Sequence, residues 1–378
     1  MNRAITQTLC EVAEIIMGQS PESESYNDKG AGIPFYQGKS DFGEVYPTVR
    51  MYCTSPKKIA MADDILMSVR APIGDVNIAQ EKCCIGRGLA AIRPKAKTNL
   101  KYLFYLLDSY KERLAEQGTG STFKAISKDV LNELRIPIWP LEKQKWVADV
   151  IDEIQTMIFN RKDALSVLDE LVKSRFVEMF GDPNDETLSD KRKSIEDVCD
   201  NIYGGGTPSK SHKEYYIGNI PWVTPKDMKS MSIDDSQDHI TSEAIENSTT
   251  KLIPKKSVLM VIRSGILKHT LPVAINNVEV TINQDMKAFV PSSILTPEYL
   301  LHTFKMMEES ILSKVRGVTA DNIEFSEFKK RQIFIPPIEL QNQFADFVAL
   351  TDKSKLAVQQ SLETLQTLKA KLMQDYFG

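Results

Sequence analysis

Pro140-Leu141-Glu142-Lys143-Gln144 recurs as Pro337-Ile338-Glu339-Leu340-Gln341, and Phe180-Gly181 recurs as Phe377-Gly378. Both matches have one offset (337 − 140 = 197; 378 − 181 = 197). A repeat this long marks a duplicated domain with its helix rather than a solenoid unit. The same offset relates Gly120 to Gly317, Ile136 to Ile333, Tyr102-Leu103 to Tyr299-Leu300, and the stretch Ile85–Pro94 to Ile282–Pro291. Further upstream the offset drifts. Met67-Ser68-Val69-Arg70 lies over Met260-Val261-Ile262-Arg263 (260 − 67 = 193). Ile33-Pro34-Phe35 lies over Ile220-Pro221-Trp222, and Gly18-Gln19-Ser20-Pro21 over Gly205-Gly206-Thr207-Pro208 (205 − 18 = 187). The segments after the prolines keep their length while the parts before them vary, so the chain reads as a fixed frame carrying two adaptable globular parts.

The frame is helical. In 141–180, Val147, Ile151, Ile154, Ile158, Leu165, Leu168 and Val172 fall in steps of four and three, with Arg161 in one slot and no Gly or Pro before Gly181. That spacing is a heptad seam. About 40 residues at ~1.5 Å each predict a rod of roughly 60 Å. The second copy places Phe344, Val348, Val358, Leu362, Leu365 and Leu372 on the equivalent slots, interrupted by Thr351, Lys355 and Lys369. A helix with one apolar stripe needs a partner, and the simplest partner is its twin lying antiparallel. The alternative is that each helix packs on its own globular part. The expected fold class is α/β (α+β), with two pseudo-twofold-related globular domains separated by a two-helix antiparallel coiled coil. Boundaries fall at 1–140, 141–181, 182–337 and 338–378. Gly181–Glu186 and Lys191-Arg192-Lys193 form a polar linker.

Within the first globular part, Asp64–Arg70 and Cys84–Ile92 are apolar runs bounded by Gly and Pro, and predict strands. Asn99–Glu116 has helical period and length. Its counterpart begins Thr296-Pro297-Glu298, an N-cap followed by proline and an acid in the first turn. A short helical turn over Ser127–Leu134 and a strand at Ile136-Pro137-Ile138 follow.

The chain of 378 residues holds 47 Lys/Arg against 51 Asp/Glu, a net charge of −4. That argues against a plainly basic nucleic-acid binder. The distribution is uneven, however. Residues 82–107 hold Lys82, Arg87, Arg93, Lys95, Lys97 and Lys101 and no acid; residues 251–278 hold Lys251, Lys255, Lys256, Arg263 and Lys268 and no acid; residues 45–62 hold Arg50, Lys57 and Lys58 and no acid. Any one run reads as a solvated face, but recurrence in both copies points to a phosphate-facing surface. No apolar run reaches the ~20 residues of a membrane span, and Met1–Cys10 lacks signal-peptide layout. The five cysteines show no CxxC spacing, which predicts reduced thiols in a cytoplasmic protein.

No catalytic constellation emerges. All four histidines (His212, His239, His269, His302) lie in the second half, so a duplicated His-based site is excluded. There is no HExxH, no EF-hand loop and no GxSxG elbow. Gly38-Lys39-Ser40 follows Gly32 at the wrong spacing for a phosphate loop, with Pro34 interrupting it. Gly204-Gly205-Gly206 is followed by Thr-Pro rather than a helix that could hold a pyrophosphate.

The blocks Gly120–Ser127, Leu131–Gln144 (LNELRIPIWPLEKQ) and Gly317–Gln341, each followed by a long helix, resemble the specificity subunit of type I restriction-modification enzymes. Val69–Gly74 and Ile282-Asn283-Gln284 resemble strand motifs of its target recognition domains. The resemblance covers nearly the whole chain. It implies that residues 1–140 and 182–337 are target recognition domains, each reading half of a bipartite double-stranded DNA site, while 141–181 and 338–378 are spacer helices. It implies docking of modification (methyltransferase) subunits and restriction (motor-nuclease) subunits. S-adenosylmethionine, ATP and Mg would then sit on those partners, with no cofactor, metal or active site in this chain. Arg and Lys suit guanine, Asn and Gln suit adenine, and Ser or Thr serve either. The candidate contacts are Gln37, Lys39, Arg70, Arg87, Ser121, Thr122 and Lys124 in the first copy. In the second they are Thr224, Lys226, Arg263, Ser264, Gln284, Thr319 and Asn322. Each could instead be an exposed polar or turn-capping group. Arg70 and Arg263 stand out because an Arg ends the same strand in both copies, with a structural salt bridge as the alternative. Two rival readings are a DNA methyltransferase in its own right, for which no Asn/Asp-Pro-Pro-aromatic motif is present, and a coiled-coil scaffold that never touches nucleic acid.

Overall fold

The computed structural model describes residues 4–119, 124–185, 192–316 and 322–378. It divides into two compact units: Met1–Lys162 with Gln360–Gly378, and Asp163–Gln359.

The first unit contains strands β1 (Ile5–Thr8), β2 (Ala13–Met17), β3 (Ile33–Tyr36), β4 (Ile65–Ser68), β5 (Val76–Ile78), β6 (Cys83–Ile85), β7 (Leu89–Pro94) and β8 (Arg135–Ile138), with helix α1 (Leu100–Ser109) and the start of α2 (Leu141–Phe180). The order β2-β7-β4-β5 makes an antiparallel sheet. In a second sheet β3 runs parallel to β6, with Phe35 opposite Cys84. Strands β1 and β8 close the domain as an antiparallel pair. Continuous apolar runs such as Ile65-Leu66-Met67 are buried on both faces, which is why alternation is absent from them.

The second unit repeats this plan with β9 (Arg192–Ser194), β10 (Cys199–Gly204), β11 (Ile220–Val223), β12 (Val258–Val261), β13 (Val273–Asn276), β14 (Thr281–Ile282), β15 (Met286–Pro291) and β16 (Gln332–Phe334), plus α3 (Pro297–Met306) and the start of α4 (Ile338–Phe377). The order β10-β15-β12-β13 matches β2-β7-β4-β5, and β11 runs parallel to β14 as β3 does to β6. Register is preserved too: Ala90 faces Met67 and Lys287 faces Met260, each pair related by the sequence offsets. The aligned Gly18 and Gly205 share one cause. A Cβ would lie 2.1 Å from the Gly86 carbonyl oxygen at the first and 1.7 Å from the Asn283 carbonyl oxygen at the second. Only glycine lets the chain pass there.

Two expected elements are interrupted. The apolar run at 84–92 is two strands, β6 and β7, because Gly86-Arg87-Gly88 turns between them and Leu89 N–H bonds back to the Gly86 carbonyl (3.0 Å). The helix expected over 99–116 breaks at Tyr110 (ψ 5°), whose hydroxyl donates to the Phe377 carbonyl (3.0 Å); a separate helix covers Lys111–Glu116. The Thr296 N-cap is as expected, its side chain accepting from Tyr299 N–H, and Asn99 caps the first copy in the same way toward Tyr102 N–H.

The repeated proline-glutamine block has a specific job. Gln144 is buried; its Oε1 accepts from Asn99 N–H (2.8 Å), and its Nε2 donates to the Lys97 (3.2 Å) and Trp139 (2.7 Å) carbonyls. Gln341 does the same with Thr296 N–H (2.8 Å) and the Ile294 (2.9 Å) and Pro336 (2.9 Å) carbonyls. One amide thus ties the first turn of each long helix to the cap of the helix before it. Nearby, the Tyr102 and Tyr299 hydroxyls donate to the Pro137 and Phe334 carbonyls, both at 2.7 Å.

Helices α2 and α4 are each 40 residues. In the first unit the beginning of α2 lies antiparallel to the end of α4: Trp146 meets Tyr376, Gln155 accepts from Lys369 (2.7 Å), and Arg161 donates to Ser361 (3.1 Å). Val147, Ile151, Ile154 and Ile158 are buried there, and Phe377 packs edge-on against Tyr102. In the second unit the end of α2 lies antiparallel to the beginning of α4: Asp169 pairs with Lys355 (2.7 Å), and Phe176 and Phe180 pack on Phe344. The polar seam residues are therefore partnered, and Thr351 bonds to the Phe347 carbonyl (2.9 Å).

Candidate nucleic-acid interface

In each unit the same four backbone segments meet at the strand ends. In the first, Gly86 N–H donates to Tyr36 O (2.8 Å), Val69 N–H to Gly88 O (2.9 Å) and Ile126 N–H to Val69 O (2.9 Å), with Ala71 N–H to Lys124 O (3.2 Å) beside them. This rim collects Gln37, Arg70, Arg87 and Lys124, all exposed. In the second, Asn283 N–H donates to Val223 O (3.0 Å), Ile262 N–H to Asp285 O (2.8 Å), and Ile323 N–H to Ile262 O (2.8 Å). That rim collects Thr224, Gln284, Arg263 and Asn322, and Arg263 bridges Asn322 as Arg70 bridges Ala125. Candidates chosen as isolated polar residues thus converge, because a parallel strand pair, a two-strand connection and the loop before β8 or β16 all end on one edge.

The side chains are not equivalent. Arg70 and Arg87 have no side-chain hydrogen bond or ion pair among the described residues. Arg263 is bound: its Nε and Nη2 both contact Asp285 Oδ1 at 2.6 Å. Lys39 shares Asp75 with Lys111 (3.0 and 2.6 Å), and the bond to Asp75 raises the Lys111 pKa above the ordinary lysine value. Lys226 pairs with Asp238 (2.7 Å), which likewise raises its pKa. Thr224 is buried, with its N–H and hydroxyl donating to Asp227, so it shapes a turn. Ser264 accepts from Ile266 N–H (3.4 Å) and caps a short helical turn. Gln284 accepts from the Thr207 hydroxyl. Ser121, Thr122 and Thr319 lie outside the described residues.

Part of the basic runs is structural. Arg93 holds the buried Asp64 through two bonds of 2.8 Å, Lys95 donates to the Cys10 carbonyl (2.6 Å), and Lys101 pairs with Asp152. Linear charge counting missed this because the acids lie elsewhere in the chain. It also missed Ser20 and Thr207, which stand beside Arg87 and Gln284. Their signal was present, since Gly18-x-Ser20-Pro21 and Gly205-x-Thr207-Pro208 align. No helix among the described residues is long and apolar enough to cross a membrane.

Two copies of one mixed α/β domain, each with a variable polar rim and each followed by a 40-residue helix, define a duplicated protein with one constant frame and two diverged surfaces. The family profile described as the type I restriction modification DNA specificity domain matches residues 6–165 and 191–367. The type I restriction enzyme EcoR124I/EcoR124II specificity subunit of Escherichia coli is 31% identical over 290 residues, 74% of this chain and 70% of that one. A Methanocaldococcus jannaschii protein is 49% identical over 146 residues, 38% of this chain and only 34% of its own length. In fold, the S subunit of a type I restriction-modification system from M. genitalium matches with a TM-score of 0.63 at 14% identity, covering 100% of this chain and 96% of that one. The chain belongs to the type I restriction-modification DNA specificity family, as the repeated proline-glutamine block implied.

Proposed function

We propose that this chain reads a bipartite double-stranded DNA site, one half-site per globular domain, and directs partner subunits to it without carrying out chemistry itself. Residues 1–140 and 182–337 act as target recognition domains, with 141–181 and 338–378 as spacers. The observation that carries this reading is the repeated rim: its backbone frame is constant and its side chains are not. That is what sequence readout needs, since phosphate contacts fix register and base-edge contacts supply specificity. Gln37, Arg70, Arg87, Lys124, Arg263, Gln284 and Asn322 are the side chains best placed for it. Lys39 and Lys226, already paired, would have to exchange carboxylate for phosphate. Ser121, Thr122 and Thr319 stay candidates on sequence grounds. The modest net charge fits a chain whose grip on phosphate is completed by others. Those others are modification subunits that methylate adenine with S-adenosylmethionine, and motor-nuclease subunits using ATP and Mg, all in the cytoplasm.

Mapping methylated adenines genome-wide, with and without this chain beside its modification subunits, tests the reading. A two-part motif that disappears without the chain is expected; an unchanged map would refute it. Adding one heptad to both α2 and α4 lengthens the pair by about 10 Å. The gap should then grow by roughly three base pairs, at 3.4 Å per pair, with both half-site sequences kept.

A further inference from the structure

Asp285 sets the two rims apart. Its backbone carbonyl accepts from the Ile262 (2.8 Å) and Arg263 (3.2 Å) N–H groups. Its Oδ2 accepts from Asn283 Nδ2 (3.1 Å), while Asn283 Oδ1 accepts the Asp285 N–H (3.1 Å). Asn283 is itself buried. The carboxylate is therefore fixed at both ends, and its Oδ1 takes Nε and Nη2 of Arg263. A guanidinium has five donors. One edge is occupied here, and the Nη1 side has no partner among the described residues, on a side chain that is 59% exposed. We propose that Asp285 is a positioning residue that locks Arg263 to read a guanine in the second half-site. Rigid, forked presentation is the geometry that O6 and N7 of guanine require, and a pre-ordered side chain loses less freedom on binding.

The first rim shows no such device among the described residues. The position matching Asp285 is Gly88 (285 − 197 = 88), and the Val69–Gly88 bond matches Ile262–Asp285. A Cβ on Gly88 would lie 2.2 Å from the Gln37 carbonyl oxygen, so no side chain fits there without moving the backbone. Arg70 therefore has no counterpart of the Asp285 carboxylate at Gly88.

This inference rests on the proposed DNA reading, and the test separates the two. Adenine methylation is mapped in cells carrying the modification subunits with wild-type chain, Asp285→Asn, Arg263→Ala, Arg263→Lys, or a chain whose residues 192–334 come from another family member. Asp285→Asn and both Arg263 variants should relax one G·C position of the second half-site by roughly tenfold in preference, leaving the first half-site and the gap intact. Asp285→Glu should restore part of it. If Arg263→Ala relaxes that position and Asp285→Asn does not, the positioning role is wrong. It is also wrong if Asp285→Asn abolishes methylation altogether while Arg263→Ala does not, which would make Asp285 purely structural. If neither Asp285→Asn nor Arg263→Ala changes the motif but the exchanged domain does, the clamp fails and the DNA reading survives. If the exchange also leaves the motif unchanged, the DNA reading fails with it.

Discussion

The rims of the two units use the same backbone hydrogen bonds but not the same chemistry. The first presents two unclamped arginines, Arg70 and Arg87, around a glycine; the second presents one arginine held by Asp285, flanked by the amides of Gln284 and Asn322. Below the rims the comparison reverses. The Gln144 and Gln341 joints, the Tyr102 and Tyr299 hydroxyl bonds and the strand registers coincide. The rims diverge where a partner can be touched, and the joints are kept where a long helix must leave its domain in a fixed direction. A buried amide with every donor and acceptor used is costly to alter, which explains why the joint persists while the rim varies.

The largest effect should come from removing a joint. Gln144→Ala and Gln341→Ala each leave one half-buried N–H and two carbonyls without their partner, and each should destabilise its own unit by roughly 2–3 kcal/mol. Hydrogen exchange resolved by unit would show the two losses to be similar and local; a large loss for one and none for the other would end the claim of equivalence.

A difference inside the cores gives the next effect. Tyr105 of the first copy bonds to Asp152, whereas the second copy has the buried His302 packed on Phe344. Burial first, then Lys355 and Lys305, lower the His302 pKa to about 4. Its folded pKa lies below the unfolded one, so the unfolded state takes up the proton first. The stability it contributes is present above pH ~6.5 and is lost as pH falls towards 4. The drop should be about 2–3 kcal/mol and specific to the second unit. Acid unfolding of wild type against His302→Phe measures it, and equal acid limbs would remove His302 from the account.

The smallest effect sharpens the rim contrast. Arg70→Ala should weaken discrimination at one position of the first half-site by about 1 kcal/mol, less than the Arg263 variants produce in the second, because an unclamped arginine gives up freedom to bind. Methylation maps at matched expression would decide the ranking.

Much of the frame was legible in the sequence, because periodicity and a constant offset are linear properties. The shift from 197 to 187 upstream already aligned Ile33–Phe35 with Ile220–Trp222, and both are strands in a parallel pair. The rim was legible only as scattered polar residues, since its unity comes from backbone bonds between distant segments. Asp285 was invisible for a related reason. An acid 22 residues from Arg263 looks like any surface carboxylate until β12 and β15 bring the two side by side. Arg93, Lys95 and Lys101 misled in the opposite sense: their run looked free because Asp64, Cys10 and Asp152 are remote in sequence.

The crowded space beside Gly88 also gives the duplicated halves unequal futures. One codon change can strip the second half of its carboxylate and release Arg263. The first half has no reverse route, because gaining that carboxylate demands a shift of the main chain at Gln37 as well.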